Sequence, residues 1–190
     1  MSSVQGILLT GGKSSRMGQD KSLLRLGSTT FADRIIRSMK SVCDGVLIVG
    51  PSCVSSIQGV VQCPDMVKDK GPAGGIYTGL TCSSKDVNLV AGCDTPLLSP
   101  QLFREMVEAY DGEDVLYCRA AERDHPLIAL YATSCKGAFL NCIESDMLKL
   151  SDILDKLNTR AFQVPENLID ELRNINTPYD YESISNENYR

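Results

Sequence analysis

The chain predicts an α/β fold, a mostly parallel sheet covered by helices on both faces, with an antiparallel addition. Three observations carry this. Short apolar runs alternate with segments of helical spacing along the chain. Two of the runs lead into glycine-rich stretches, at 11–18 and 69–75, as strand-to-helix joints do in such sheets. A hairpin-like stretch, 115–131, then breaks the alternation. At 190 residues, one three-layer domain over 1–190 is the simplest arrangement, with 185–190 as a frayed polar tail.

Each element has a local reason. Val4 to Leu9 is an apolar run that reads as a buried strand. Ser22–Gly27 reads as a short extended or turn segment. Thr29 or Thr30 can cap a helix whose apolar face is Phe31, Ile35, Ile36, Met39 and Val42. Gly45–Gly50 and Val60–Cys63 read as strands, the second ending at Pro64–Asp65. The glycine-rich stretch 69–75 should be a loop feeding a helix from Ile76 to Cys82. Asp86–Gly92 is a central strand, stopped by Cys93–Asp94–Thr95–Pro96. Ser99–Pro100 opens a helix with Leu102, Met106, Val107 and Tyr110 on one face. Strands follow at 115–118 and 127–131, joined by a polar turn, Glu122–Pro126. A helix with Cys135, Phe139, Cys142 and Ile143 on one side is next. A short helix at 152–157, a late strand at 162–164 and a helix start at Thr177–Pro178 complete the chain.

The chemistry concentrates in the first glycine-rich stretch. Residues 11–21 hold Gly11, Gly12 and Gly18, the hydroxyls of Ser14 and Ser15, and the cations Lys13, Arg16 and Lys21. Successive backbone N–H groups in such a turn make a concave anion site. Lysine adds a mobile point charge and arginine a planar fork. A polyphosphate loop is therefore expected. It is not a P-loop, because the required glycine position holds Ile7. The dinucleotide fingerprint G-x-G-x-x-G is absent too.

Bulk properties narrow the partner. Net charge is −5, yet residues 11–25 carry four cations against Asp20 alone. A cationic pocket on an acidic protein suits a small anion and argues against nucleic acid. The start, Met1–Gly6, lacks the basic and apolar regions of a secretory signal, and no run approaches a membrane span. Cytoplasmic residence is expected. Eight cysteines without a C-x-x-C pair, and one histidine, point away from zinc and from a redox pair. Mostly buried, reduced thiols are expected.

Asp94 sits where a central strand ends, the edge at which open parallel sheets bind ligands. One carboxylate beside phosphates is a natural magnesium ligand. No nucleophilic triad is evident, and His125 lies before a proline. A phosphate monoester is already anionic near neutral pH and can attack without a general base. Positioning and charge neutralisation then suffice.

The motifs resemble one family. Leu9–Thr10–Gly11–Gly12-x-x-x-Arg16–Met17–Gly18-x-Asp20–Lys21-x-Leu23–Leu24 is similar to the signature of the molybdenum cofactor guanylyltransferases. Gly71–Pro72-x-Gly74–Gly75, Cys93–Asp94–Thr95–Pro96, Arg123–Asp124–His125–Pro126 and Asn174-x-Asn176–Thr177–Pro178 follow in the family's order. The resemblance covers nearly the whole chain. It implies a Rossmann-like nucleotidyltransferase fold that moves GMP from magnesium-bound GTP to the terminal phosphate of molybdopterin, releasing pyrophosphate. It implies that Leu9, Thr10, Gly11 and Gly12 form the nucleotide turn, with Gly74 in the second loop. Arg16 and Lys21 would stabilise the triphosphate, Asp65 would contact the nucleoside, and Asp94 would hold Mg2+. His125, Asn174 and Asn176 would lie on the pterin side. Molybdenum cofactor biosynthesis proteins and apo-molybdoenzymes are the implied protein partners. Thr10 replaces the family's usual alanine, while the retained pair Gly11–Gly12 resembles the guanylyl rather than the cytidylyl enzymes. The competing readings are a CTP-dependent molybdopterin enzyme, a sugar-phosphate nucleotidyltransferase and a non-catalytic nucleotide-binding protein.

Overall fold

A computed structural model describes residues 3–10, 21–50 and 55–187. In chain order these residues form β1 (Val4–Leu9), β2 (Arg25–Leu26), β3 (Thr29–Thr30), α1 (Phe31–Met39), β4 (Gly45–Val49) and β5 (Val60–Cys63). Then come α2 (Gly71–Cys82), β6 (Val87–Gly92), α3 (Pro100–Ala109), β7 (Val115–Ala120) and β8 (Arg123–Ala132). The chain closes with α4 (Lys136–Glu144), α5 (Leu150–Leu154), β9 (Thr159–Gln163) and α6 (Pro178–Glu187).

Seven strands make one sheet in the order β5-β4-β1-β6-β8-β7-β9. Only β8 among them runs antiparallel to its neighbours. The expected parallel sheet with an antiparallel addition is therefore what forms. After β1 the chain builds outward through β4 and β5, then crosses back to β6 on the other side of β1. This reversal opens a crevice at the C-terminal ends of β1 and β6.

β1 is buried along its whole length, as a central parallel strand should be. Its side chains alternate between two cores. Val4 and Leu8 pack with α1 and α3 residues such as Ile35, Met39 and Phe103. Ile7 and Leu9 pack with Ile76 and Leu80 of α2 and Phe139 of α4. A third, smaller core joins Leu26, Phe31, Ile175 and Ile184, tying α6 to the β2–β3 ribbon. Thr30 caps α1 by accepting from Asp33 N at 3.0 Å, and Ser99 caps α3 through Leu102 N at 3.2 Å.

Several element bounds differ from the sequence reading. α2 starts at Gly71, so most of the second glycine-rich loop is helix. Gly71 itself has φ +57°, which turns the chain into the helix. The expected polar turn 122–126 is mostly strand, because the hairpin turns tightly at Ala121, φ +50°. A register shift at Tyr117/Cys118 leaves Pro126 unpaired with β7. A bulge suits a residue without an N–H. β9 begins three residues before the expected 162, and α5 lies two to three residues earlier than read. Residues 21–23 form a 3-10 turn, and another at Glu166–Leu172 had no sequence signal of period or cap. Not every thiol is reduced: Cys63 and Cys82 are joined in a disulfide, their Cα atoms 6.7 Å apart. Their separation of 19 residues is bridged by the return of α2 along β5, which spacing alone does not reveal.

Candidate active site

The crevice is bounded first by backbone. Leu9 O accepts from Cys93 N at 3.0 Å, and Thr10 N donates to Val49 O at 2.9 Å. The Thr10 hydroxyl donates to the same carbonyl at 3.2 Å. Leu9 and Thr10 thus leave β1 buried and pinned between its two neighbours. Threonine keeps the turn tight at a position where the resemblance expects alanine. Gly11, Gly12 and Arg16 lie outside the described residues, as does the stretch 51–54.

Glycines then bring α2 down onto β1. A Cβ at Gly79 would lie 2.6 Å from Ile7 Cγ2, and one at Gly75 would lie 3.2 Å from Leu9 Cδ2. Gly74 faces the incoming turn: its Cβ would lie 2.9 Å from Val67 O and from Lys70 Cβ. The close approach of the 67–70 backbone requires glycine at 74, whatever else it touches. α2 has no side-chain cap. Lys70, the residue before the helix, pairs with Asp146 at an Nζ–Oδ1 distance of 2.9 Å.

Asp65 precedes that turn. Its Oδ1 accepts from Val67 N and from the Thr78 hydroxyl, both at 3.2 Å, while Met66 N donates to the Thr78 oxygen at 3.2 Å. Thr78 is fully buried on α2, so an exposed carboxylate is anchored to a rigid helix. This is an Asx-type turn with a second anchor.

Asp94 follows β6. A Cβ at Gly92 would lie 2.8 Å from Asp94 Oδ1, so the carboxylate folds back over the bare Cα of Gly92. Thr95 locks the same turn by donating its hydroxyl to Gly92 O at 3.0 Å. Asp94 O accepts from Ile175 N at 2.8 Å, which docks the Asn174–Asn176 segment on this corner. Asn176 Oδ1 accepts from Lys21 Nζ. Asp180 Oδ2 accepts from the N–H groups of Asn176, at 3.0 Å, and Thr177, at 2.8 Å. The Asn176 N–H, then the Thr177 hydroxyl, and more weakly the Thr177 N–H and the Arg173 charge hold the Asp180 carboxyl below its usual range, against the opposing effect of burial. In return Thr177 Oγ1 accepts from Asp180 N at 3.2 Å, a reciprocal cap at the start of α6.

β8 runs past the end of β6, which carries its first residues over the same edge. There Arg123, His125, Arg173, Asn174, Asn176 and Asp180 line a cleft of about 480 Å³. Burial holds the His125 imidazole below its ordinary pKa, and Arg123 pushes the same way against the weaker opposing pull of Asp124. His125 is thus biased to the neutral form, able to donate from one nitrogen and accept at the other. Asp124 is engaged by Arg119, whose Nη2 lies 3.0 Å from Asp124 Oδ2, fixing the hairpin tip.

The structure therefore brings Lys21, Asp94, Asn174 and Asn176 together, with His125 lining the adjoining cleft. Asp65 and Gly74 stand at the turn entering α2. Sequence reasoning missed Gly92, Arg123 and Arg173. Arg123 was within reach, since it stands two residues before His125 on a strand, where alternate residues share a face. Gly92 and Arg173 carry no comparable signal. Among the described residues no group of three His, Cys, Asp or Glu side chains is placed to hold a metal. Asp94 stands at the corner where β6 ends, with Asp180 held on the neighbouring segment by Asn176 and Thr177.

With this geometry in view, known proteins give consistent matches. The model of the MobA-like NTP transferase domain matches residues 6–161. A relative in Flavobacterium johnsoniae named "Probable molybdenum cofactor guanylyltransferase" is 33% identical, covering 93% of this chain and 94% of that one. "Molybdenum cofactor guanylyltransferase" of Desulfosudis oleivorans is 27% identical over 85% and 81% of the two chains. The fold is that of the molybdopterin-guanine dinucleotide biosynthesis protein A from Archaeoglobus fulgidus, with TM-score 0.78, 22% identity and coverage of 96% and 97%. A 2-C-methyl-D-erythritol 4-phosphate cytidylyltransferase from Thermus thermophilus shares the fold at TM-score 0.71 and 14% identity, covering 98% of each chain. The crevice at the β1–β6 reversal, the Asp94 corner and these matches agree, and the chain belongs to the MobA-like NTP transferase family.

Proposed function

We propose that this chain transfers GMP from GTP to the terminal phosphate of molybdopterin, with release of pyrophosphate. One observation supports this most. Lys21, from the phosphate-loop end, and Asn176, from the last motif, meet beside Asp94 at one sheet edge. The acceptor's phosphate oxygen attacks the α-phosphorus; the bond from that phosphorus to the bridging oxygen breaks, and pyrophosphate leaves. The acceptor is already ionised near neutral pH, so the transfer needs no general base.

The chain's own residues then position and neutralise. The turn Leu9–Thr10–Gly11–Gly12 receives the nucleotide, and Asp65 takes the nucleoside end. Arg16 and Lys21 neutralise charge on the leaving pyrophosphate. Asn176 fixes the Lys21 ammonium, and Asp180 fixes Asn176. His125, Asn174 and Asn176 face the pterin, with Arg123 and Arg173 supplying positive charge to the cleft. Asp94 fits a Mg2+ ion, because that ion accepts one carboxylate with phosphate and water oxygens, and the bare Gly92 leaves the carboxylate room. When bound, the ion would screen the triphosphate charge. Among the described residues no helix is long and apolar enough to cross a membrane. Cytoplasmic residence is part of this proposal.

Pyrophosphate release with molybdopterin and GTP, CTP, ATP or UTP tests the reading. GTP should be used well above the other three. Equal or better use of CTP would overturn the guanylyl assignment, and no release with any nucleotide would overturn the transfer itself.

A further inference from the structure

Away from the crevice corner, the described residues hold one covalent cross-link. Cys63 is the last residue of β5, the outermost strand on its side, and Cys82 is the last of α2. Cys63 is buried, whereas Cys82 is exposed. Thr78 lies four residues before Cys82, so the two share a helix face. That face grips one short segment twice. Cys82 holds Cys63 covalently, and Thr78 holds Asp65 and Met66 through hydrogen bonds of 3.2 Å. The cross-link is thus the outer of two rungs that fasten Asp65 to α2.

The other described cysteines are unlike this pair. Cys43, Cys93, Cys118, Cys135 and Cys142 are buried and form no disulfide. Burial pushes the Cys43 and Cys135 thiols up to about 12, which suppresses their thiolates. Only the Cys63–Cys82 bridge presents a sulfur-bearing residue to solvent among them.

We propose that Cys63–Cys82 is a thiol–disulfide exchange site that sets how firmly Asp65 is held for the nucleoside. The inference rests on the role given to Asp65 above. A dithiol opens the site. One of its thiolates attacks Cys82 Sγ, the S–S bond breaks, and Cys63 leaves as a thiolate and takes a proton. The second thiolate of the reductant then displaces Cys82 and closes the reductant's own disulfide. Two electrons pass from dithiol to cystine. A low-molecular-weight disulfide reverses the sequence. Once the covalent rung is open, the Asp65 turn keeps its internal bond from Val67 N and its hydrogen bonds to Thr78, but loses its covalent tie to α2. Nucleotide binding must then supply the remaining order.

The full chain, purified without reductant, is denatured and alkylated before and after dithiothreitol treatment. Two additional cysteines should label after treatment, on the peptides carrying Cys63 and Cys82. Calorimetric titration with magnesium and GTP should show roughly two- to tenfold weaker binding to the reduced form, the range for ordering one mobile group on binding. Cys82→Ser should bind like reduced wild type and ignore dithiothreitol. No additional labelling overturns the proposal, as does equal affinity in the two redox states once labelling has shown the change. Absence of GTP binding in both states removes the nucleotide reading and this proposal with it. The labelling then shows that the cross-link itself is real and serves something else.

Discussion

The two halves of the crevice are built by different means. On the side proposed for the nucleotide, β1 and α2 meet through missing side chains: Gly75 and Gly79 let a helix lie directly on Leu9 and Ile7. On the side proposed for the acceptor, β8 and the segment before α6 present side chains: Arg123, His125, Asn176 and Asp180 line the edge with polar groups. Close backbone packing makes a rigid floor for a ligand whose phosphates are read by N–H groups and cations. Polar side chains make an adjustable wall that can read a bulky, hydrogen-bonding partner. Lys21–Asn176 and Asp94–Ile175 are where floor and wall join. If this division holds, damage to the floor should cost stability, and damage to the seam should cost turnover.

The largest expected effect lies at the seam. Asp94→Asn keeps size and hydrogen-bonding capacity but loses the charge. Guanylyl transfer should fall about 10²- to 10³-fold, the scale for losing one electrostatic contact to a transition state. Thermal melting should stay near wild type, because the Asp94 backbone contact to Ile175 remains. A drop in melting temperature matching the loss of activity would blur the distinction between floor and seam.

The floor should respond in the opposite way. Gly79→Ala places a Cβ 2.6 Å from Ile7 Cγ2, and overpacking of this kind costs about 1–3 kcal/mol. Gly137→Ala in α4 is the control, since its Cβ meets nothing within 4 Å; there alanine should stabilise by about 0.5–1 kcal/mol. Urea unfolding of both variants checks the sign as well as the size.

The smallest expected effect belongs to the wall. Because the His125 pKa is lowered in the fold, the unfolded chain holds the proton between the folded value and the ordinary value near 6.5, while the native protein does not. Stability should therefore rise with pH across that window and be lost as pH falls through it. His125→Gln should flatten this slope. NMR titration should place the His125 midpoint below 6.5.

The floor was legible in the sequence because its devices leave marks there. Apolar runs marked the strands, the second glycine cluster marked the entry to α2, and Asp94 stood where a strand stopped at Thr95–Pro96. The wall left fewer marks. The polar residues 123–126 read as a turn because β8 extends beyond the sheet core, where apolar alternation ends. The 3-10 turn at 166–172 is held by packing, with Leu168 and Leu172 in the first core and Glu171 accepting from Ser99 N at 2.8 Å. Neither contact has a local signature. The motif resemblance, rather than periodicity, located Asn174 and Asn176. The meeting of Asn176 with Lys21 became visible only through the third core, where Ile175 packs with Leu26 and Phe31.

A double-mutant cycle on Lys21 and Asn176 tests the seam most directly. Rates of GTP-dependent transfer are compared for wild type, Lys21→Met, Asn176→Ala and the double variant. If the two side chains act as one unit, the double variant should be little worse than Lys21→Met, with a coupling of about 1–3 kcal/mol. Strictly additive losses would contradict the joining of floor and wall at this contact.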